Sequence, residues 1–440
     1  MANWHDMTAT QQLAALREGQ VTAEALMQHY LRRIRRYRNL NAVAEVDATA
    51  LAQARALDAA GERSLPLFGL PILVKDNIDV RGLHTTAGSL ALADNVAQAD
   101  APVIANLRRN GAVILGKTNM TEFANWVTQG MPGGYSARGG QVVHPYDRKR
   151  DPSGSSTGSA VAVAAGLCAA AIGTDTSFSI VACAGEHGTA GFKAAHGALP
   201  LAGIVPIAGT LDMPGPISRN MEDALLIYRG MGGNLPLVQP IPPQQLRVAV
   251  NMANRERVAP TQLAAYERLL NHLKAAGAQS SEIIQPPVPQ QKTIMRCEFR
   301  RDLEAYLTGA SASRKTLAEI VAHYEADSAR RKYGMTYLTE SIAASPEDAD
   351  YIAALTERSR LREVVLAELA EYDAVLMTGP TNVMHFTGLP SLTVPLFMDG
   401  ALPKGAILYG ADERRLLSAA LTIEGFCEGV KPPRLQRLWC

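Results

Sequence analysis

The segment from Gly158 to Gly173, GSAVAVAAGLCAAAIG, is apolar on every side and built almost wholly from small residues. A surface helix keeps one polar face, so a stretch without one has to be enclosed by the rest of the chain. Its alanines predict a buried helix at the centre of the molecule. Directly before it, residues 130–156 are rich in Gly, Pro and polar side chains, as in GMPGGYSARGG and DPSGSST. That predicts a long loop, and a long loop inside a compact domain is usually functional or disordered. The loop and the apolar stretch together form the middle of the fold.

The surroundings read as α/β. Between Thr22 and about Asp58, Leu26, Tyr30 and Ile34 recur on one face and good helix formers follow, predicting N-terminal helices packed on something larger. The apolar run Leu70 to Val74, ending at Lys75, and the run GAVILGKTN read as strands; APVIANLRRNGA between them reads as a helix closed by Gly111. Strand, helix, strand is the order of a crossover unit. From about Asn234 to Tyr372 longer, charge-rich amphipathic helices predict an α-rich region. YDAVLMTGP and GLPSLTVPLF then return to strand character, and DERRLLSAALTIEGF reads as a closing helix. The chain is expected to be one domain, with N-terminal helices over 1–65, a core over 66–234, the α-rich region over 235–372 and a return to the core over 373–440. No internal repeat interrupts it.

Composition narrows the function classes. The 440 residues are 47% hydrophobic and 19% charged, enough for a large core, and the net charge of +1 comes without a long run of either sign. Nothing forms a phosphate-neutralising surface, so nucleic acid is not expected as a partner. Five cysteines, Cys168, Cys183, Cys297, Cys427 and Cys440, are too scattered for a disulfide framework or a zinc site. No apolar run approaches the roughly 20 residues that span a bilayer, and the N-terminal segment lacks a basic region followed by an apolar one. The expectation is a cytoplasmic chain with no zinc site and no membrane partner.

Three elements carry chemistry when taken together: Lys75 at the end of an apolar strand, Ser155 in SGSSTGS, and Ser179 in GTDTSFSIV. A serine attacks a carbonyl only when something removes its proton, and a lysine does so when desolvation lowers its pKa. Pro71 to Val74 lead Lys75 inward, and Ser155 stands as a relay between the two. Taken singly, such a lysine is more often a solvated strand end, and a Gly-Ser loop more often a turn.

These residues resemble the amidase signature family of serine hydrolases. The resemblance rests on GLPILVKDNIDVRGLHTTAGS (69–89), GKTNMTEFA (116–124), GSSTGSAVAVAAGL (154–167), GTDTSFSI (173–180) and DMPGPISRNMEDA (212–224), and extends to the C-terminal strands. It implies an amidase signature fold, a twisted mixed central β-sheet with helices on both sides. It implies a triad of Lys75, Ser155 and Ser179, with a cis peptide at Gly154-Ser155, an acyl-enzyme on Ser179 and no cofactor. It also implies backbone donors to the oxyanion from Thr176, Ser177, Phe178 and Ser179, with Ser156 and Asp175 in support. Lys193 matches a family lysine and is read as structural. His187 and His196 lack the spacing of a Ser-His-Asp site and are read as surface or hydrogen-bonded residues.

One departure stands out. The family places two glycines, or Asp-Gly, before the nucleophile, and here Ser177-Phe178 occupies those positions. Glycine permits backbone angles that phenylalanine tolerates poorly. Three outcomes follow. Phe178 points into the acyl or leaving-group pocket and alters specificity; or the loop needs a partner subunit or rearrangement; or the site has decayed on a scaffold kept for binding. SARGGQVVHPYD, Val181 and the segment 298–327 look most like the peptide-amidase branch, which implies a small acyl or peptide-like carboxamide substrate. Acyl transfer to an amine, and a homo-oligomeric or accessory-subunit role, stay open. Trp126, Gln129, Tyr135, Tyr333 and Met384 are candidate pocket residues.

Overall fold

A computed structural model describes residues 3–439. Among them thirteen strands occur: β1 (Val43–Val46), β2 (Pro71–Lys75), β3 (Val113–Thr118), β4 (Tyr135–Ser136), β5 (Gly140–Gln141), β6 (Ala170–Asp175), β7 (Ala190–Lys193), β8 (Met213–Ser218), β9 (Arg247–Asn251), β10 (Gln279–Ile283), β11 (Ala374–Met377), β12 (Ser391–Asp399) and β13 (Leu402–Tyr409). Eleven form one sheet in the order β1-β3-β2-β6-β8-β7-β12-β13-β11-β9-β10, and β4 and β5 make a small hairpin in the long loop. The sheet is mixed: β3, β2 and β6 run parallel, β6 to β11 alternate antiparallel across the centre, and β11, β9 and β10 run parallel at the far edge. Among the described residues no helix is long and apolar enough to cross a membrane.

The expected crossover is present: β2, the helix Pro102–Arg109 and β3 form a parallel unit, and Gly111 follows that helix at φ +90°. The central apolar stretch differs from the expectation of a single helix. It divides at Gly166, which takes φ +64°, into the helix Thr157–Ala164 and strand β6. Alanine propensity favours helix throughout, but β6 sits between β2 and β8 with both faces covered, and tertiary burial overrides local preference. Residues 235–372 carry several helices and also contribute β9 and β10 to the sheet edge. Cys168, Cys183, Cys297 and Cys427 are free thiols; Cys440 lies outside the described residues.

Two consequences of this topology position the site. Lys75 and Thr174 stand at the carboxyl ends of the adjacent parallel strands β2 and β6, where open α/β sheets place ligands. The helix Thr157–Ala164, every residue of it buried, packs so tightly that a Cβ on Gly158 would lie 2.2 Å from the Asn119 carbonyl oxygen and 2.5 Å from that of Ala42. Its small residues let its N-terminus, and the serines preceding it, lie against the sheet. Gly158→Ala forces backbone apart, and we expect it to destabilise the chain by about 1–3 kcal/mol, read from the midpoint of urea unfolding at unchanged slope.

Candidate active site

Strand β2 is buried over its whole length, so the Lys75 side chain that ends it has no route to water. Four oxygens surround its Nζ: Ser155 Oγ at 2.8 Å, Ser156 Oγ at 3.0 Å, Thr174 Oγ1 at 2.8 Å and the Thr174 carbonyl at 3.2 Å. All four are uncharged, so none offsets the loss of hydration, and burial pulls the Lys75 pKa down to about 7. Cys183, Asp175 and Asp212 oppose that shift without reversing it. Near neutral pH the amine is therefore substantially unprotonated. In that form it has two N–H donors and one lone pair, so its three positions are shared among the four oxygens around it.

The chain enters this pocket through the peptide Gly154-Ser155, which is cis. Ser155 is fully buried and its Oγ lies 3.0 Å from Ser179 Oγ, so Lys75, Ser155 and Ser179 form one unbroken line of hydrogen-bond contacts. Ser156 caps the helix Thr157–Ala164 by position, yet its side chain makes no cap bond. It turns to Lys75 and donates to the Thr174 carbonyl at 3.0 Å, while its N–H donates to the Ser179 carbonyl at 3.3 Å. Asn77 fixes the other side by donating to Thr174 Oγ1 at 3.0 Å.

Beyond Asp175 the chain leaves the sheet and turns into the helix Val181–His187. Asp175, fully buried, receives the N–H groups of Ile180 at 2.7 Å and Val181 at 3.2 Å on one carboxylate oxygen, closing the turn around Ser179. The Thr176 hydroxyl donates to Asp212, and Gln291 Nε2 donates to the Thr176 carbonyl at 3.0 Å. Asp212, held by the N–H groups of Ile207 and Ala208, is pushed up to about 7 by burial. Among the described residues no protein acceptor takes the N–H of Thr176, Ser177, Phe178 or Ser179. The segment that leads to Ser179 thus carries four backbone donors without a protein acceptor.

Phe178 keeps the turn by adopting φ +72°, in the left-handed region where a side chain costs roughly 1–2 kcal/mol. The first of the three outcomes that the sequence left open put its ring in the acyl or leaving-group pocket; Phe178 is not among the residues that border the cleft. It packs edge-on against His385, ring centroids 4.4 Å apart, an arrangement that contributes about 0.5–1.5 kcal/mol and so offsets much of the backbone cost.

The cleft over Ser179 has a volume of about 640 Å³ and is bordered by Gly154, Ser177 and Ser179 on one side. Trp126 and Tyr337, stacked with centroids 4.7 Å apart, form one wall, with Ile207 and Met295 adding apolar surface. Of the charged residues among those described only Lys292 borders it, its Nζ 5.9 Å from the Tyr337 ring centroid. No group of three or more His, Cys, Asp or Glu among the described residues is arranged to hold a metal.

Residues 25–400 match the family model described as Amidase. This chain belongs to the amidase family. It is 32% identical to a probable amidase of Arabidopsis thaliana over 96% of this chain and 90% of that protein. It is 31% identical to a subunit of the glutamyl-tRNA(Gln) amidotransferase of Deinococcus radiodurans over 95% of this chain and 96% of that one. Among solved structures it superposes on native peptide amidase from Stenotrophomonas maltophilia with a TM-score of 0.90 at 30% identity, covering 98% of this chain and 99% of that one. An amidase family protein from Bacillus anthracis str. Ames gives the same TM-score at 29% identity, over 97% and 92%. The expected fold is the observed one, and the protein is a hydrolase of amide C–N bonds.

This amidase brings Lys75, Ser155, Ser156, Asp175 and Ser179 together around one buried pocket. Trp126 and Gln129 border the cleft. Tyr135 and Tyr333 instead pack on each other, centroids 4.9 Å apart, and Met384 is buried core. Lys193 is buried and donates to the Leu389 carbonyl at 3.0 Å; His187 is buried rather than on the surface, its Nδ1 2.8 Å from the Cys183 carbonyl oxygen; His196 contacts the Gly209 carbonyl oxygen at 2.8 Å. His385, Gln291, Asp212 and Thr174 join the site without having been singled out by the sequence. Only Thr174 and Asp212 lie inside family motifs, and nothing local in the sequence marks Gln291 or His385 as neighbours of Ser179. Asp175→Ala strips two buried N–H groups of their shared acceptor, and we expect about 2–3 kcal/mol of lost stability in urea unfolding.

Proposed function

We propose that this amidase hydrolyses a carboxamide of a small acyl or peptide-like substrate through Lys75, Ser155 and Ser179. Neutral Lys75 accepts the Ser155 proton as Ser155 accepts that of Ser179, and Ser179 Oγ bonds to the amide carbon. The developing oxyanion takes N–H donors from the segment Thr176 to Ser179. The proton returns from the Lys75 ammonium through Ser155 to the amide nitrogen, the C–N bond breaks, and the amine leaves an ester on Ser179. Water, deprotonated by the same relay, adds to that ester; the acid departs and Ser179 regains its proton. The observation that carries this reading is the line from a buried lysine of pKa about 7 through Ser155 to Ser179, with steps of 2.8 and 3.0 Å.

Intact-protein mass spectrometry after exposure to a small phosphonofluoridate tests it. Wild type gains one adduct, Ser179→Ala gains none, and Lys75→Ala is labelled slower by about 10³-fold or more. An unlabelled, folded wild type defeats the proposal. The pH dependence has a fixed sign: lysine works as a base only when neutral, so kcat/KM falls about tenfold per unit as pH drops below about 7 and levels off above it.

The cleft's charge points to substrate preference. Lys292 is its one bordering charge among the described residues, so a carboxamide bearing a carboxylate at its far end should exceed its ammonium counterpart in kcat/KM by about fivefold. Lys292→Glu should reverse the order, and about 1 M salt should erase it.

A second reading draws on the Deinococcus radiodurans relative, which is part of an amidotransferase. Here the acyl-enzyme passes its acyl group to an amine, or needs a partner to act. Partitioning of product between acid and hydroxamate with added hydroxylamine separates transfer from hydrolysis, and full activity of the isolated chain removes the need for a partner.

A further inference from the structure

His385 is a fully buried histidine for which the relay has no use. It lies on the short helix Val383–Phe386, far in sequence from the reacting serines. Its ring touches two things that matter. The Phe178 ring meets it edge-on at 4.4 Å, and its Nδ1 approaches Asp175 Oδ1 at 3.3 Å. The other oxygen of Asp175 holds the N–H groups of Ile180 and Val181. The residues on either side of Ser179 therefore lie around one imidazole: Phe178 touches its ring, and Asp175, which holds the N–H groups of Ile180 and Val181, lies against its Nδ1 without a formed hydrogen bond.

The ring contact has a physical purpose at position 178. A left-handed φ of +72° is freely available to glycine and unfavourable for phenylalanine, so a phenylalanine there relaxes unless something holds its side chain. Relaxation would turn the peptide planes on both sides of Phe178 and with them the N–H groups of Phe178 and Ser179. Neither ring nitrogen of His385 makes a well-formed hydrogen bond. Its placement is then set by packing, with the Phe178 edge on one side. Burial lowers its pKa to about 4, so it is a neutral ring at working pH and adds no charge beside Lys193.

We propose that His385 is a positioning residue: its ring clamps Phe178 in the left-handed conformation and so holds the backbone donors beside Ser179, replacing the freedom that glycine would supply. This rests on the reading of Ser179 as nucleophile and of residues 176–179 as oxyanion donors. The partner position is as informative as His385 itself, because a glycine at 178 would need no clamp.

The test is a double-mutant cycle over Phe178→Gly and His385→Asn, with His385→Gln as a second ringless replacement. Two quantities are read on the full chain: the second-order rate of Ser179 labelling by a phosphonofluoridate, whose P–O oxygen occupies the oxyanion position, and kcat and KM for one cleaved amide. In the wild-type Phe178 background, loss of the imidazole should lower the labelling rate and kcat about tenfold with KM within about twofold. In the Phe178→Gly background the same replacement should cost less than about threefold. Equal losses in both backgrounds, no loss in either, or a loss that appears in KM alone would overturn the clamp. So would failure of both ringless chains to fold, since the contact would then serve the core rather than the loop. Absence of labelling in wild type is a different result and strikes the underlying reading of Ser179 instead.

Discussion

Everything around the site depends on keeping one lysine out of water. Lys75 ends a strand whose five residues are all buried, and the four oxygens bonded to its nitrogen are all uncharged. An ammonium there would be costly to desolvate, and the pKa falls to about 7 instead. A carboxylate within bonding distance would undo this by stabilising the charged form. Asp175 is close enough to act electrostatically, yet it faces the Ile180 and Val181 amides and His385 instead of the amine. Thus the same low-dielectric interior that stabilises the sheet leaves this amine substantially unprotonated near neutral pH, as the proposed relay requires.

Burial of that lysine dictates the placement of its neighbours. Its oxygens come from β6, which lies parallel beside β2, and from the N-terminal end of a helix of small residues packed against the sheet. Large side chains in Thr157–Ala164 would lift that helix and carry Ser155 away from Lys75. The α-rich region closes the far side, where Gln291 reaches the Thr176 carbonyl and Tyr337 stacks on Trp126. A region that reads in sequence as variable helix therefore shapes both the cleft and the segment that carries Ser179.

The crossover unit, the closing strands and the helix Pro102–Arg109 are legible in the sequence because their periodicity and glycine stops are local signals. The central stretch is not, because alanine reads as helix wherever it stands, whereas β6 is a strand only because β2 and β8 flank it. Strand β10, QSSEI, has four exposed residues and no apolar alternation, so its pairing with β9 decides its state and composition could not. The cleft fares similarly. Trp126 and Gln129 border it, but Tyr135, Tyr333 and Met384 pack elsewhere, since an aromatic or methionine in a loop is equally suited to core and to pocket.

By itself the sequence determined the chemistry available: a lysine after an apolar run, two serines 24 residues apart, and motifs dense enough to name a family. It also exposed the anomaly at Phe178, because a bulky residue where glycine is usual is visible without coordinates. Only the tertiary structure decided how that anomaly is accommodated. The φ of +72° at Phe178 meets the ring of His385, which arrives from a distant part of the chain. Backbone conformation at a turn is set by what packs on the side chain, and packing partners brought together by strand order leave no trace in local sequence.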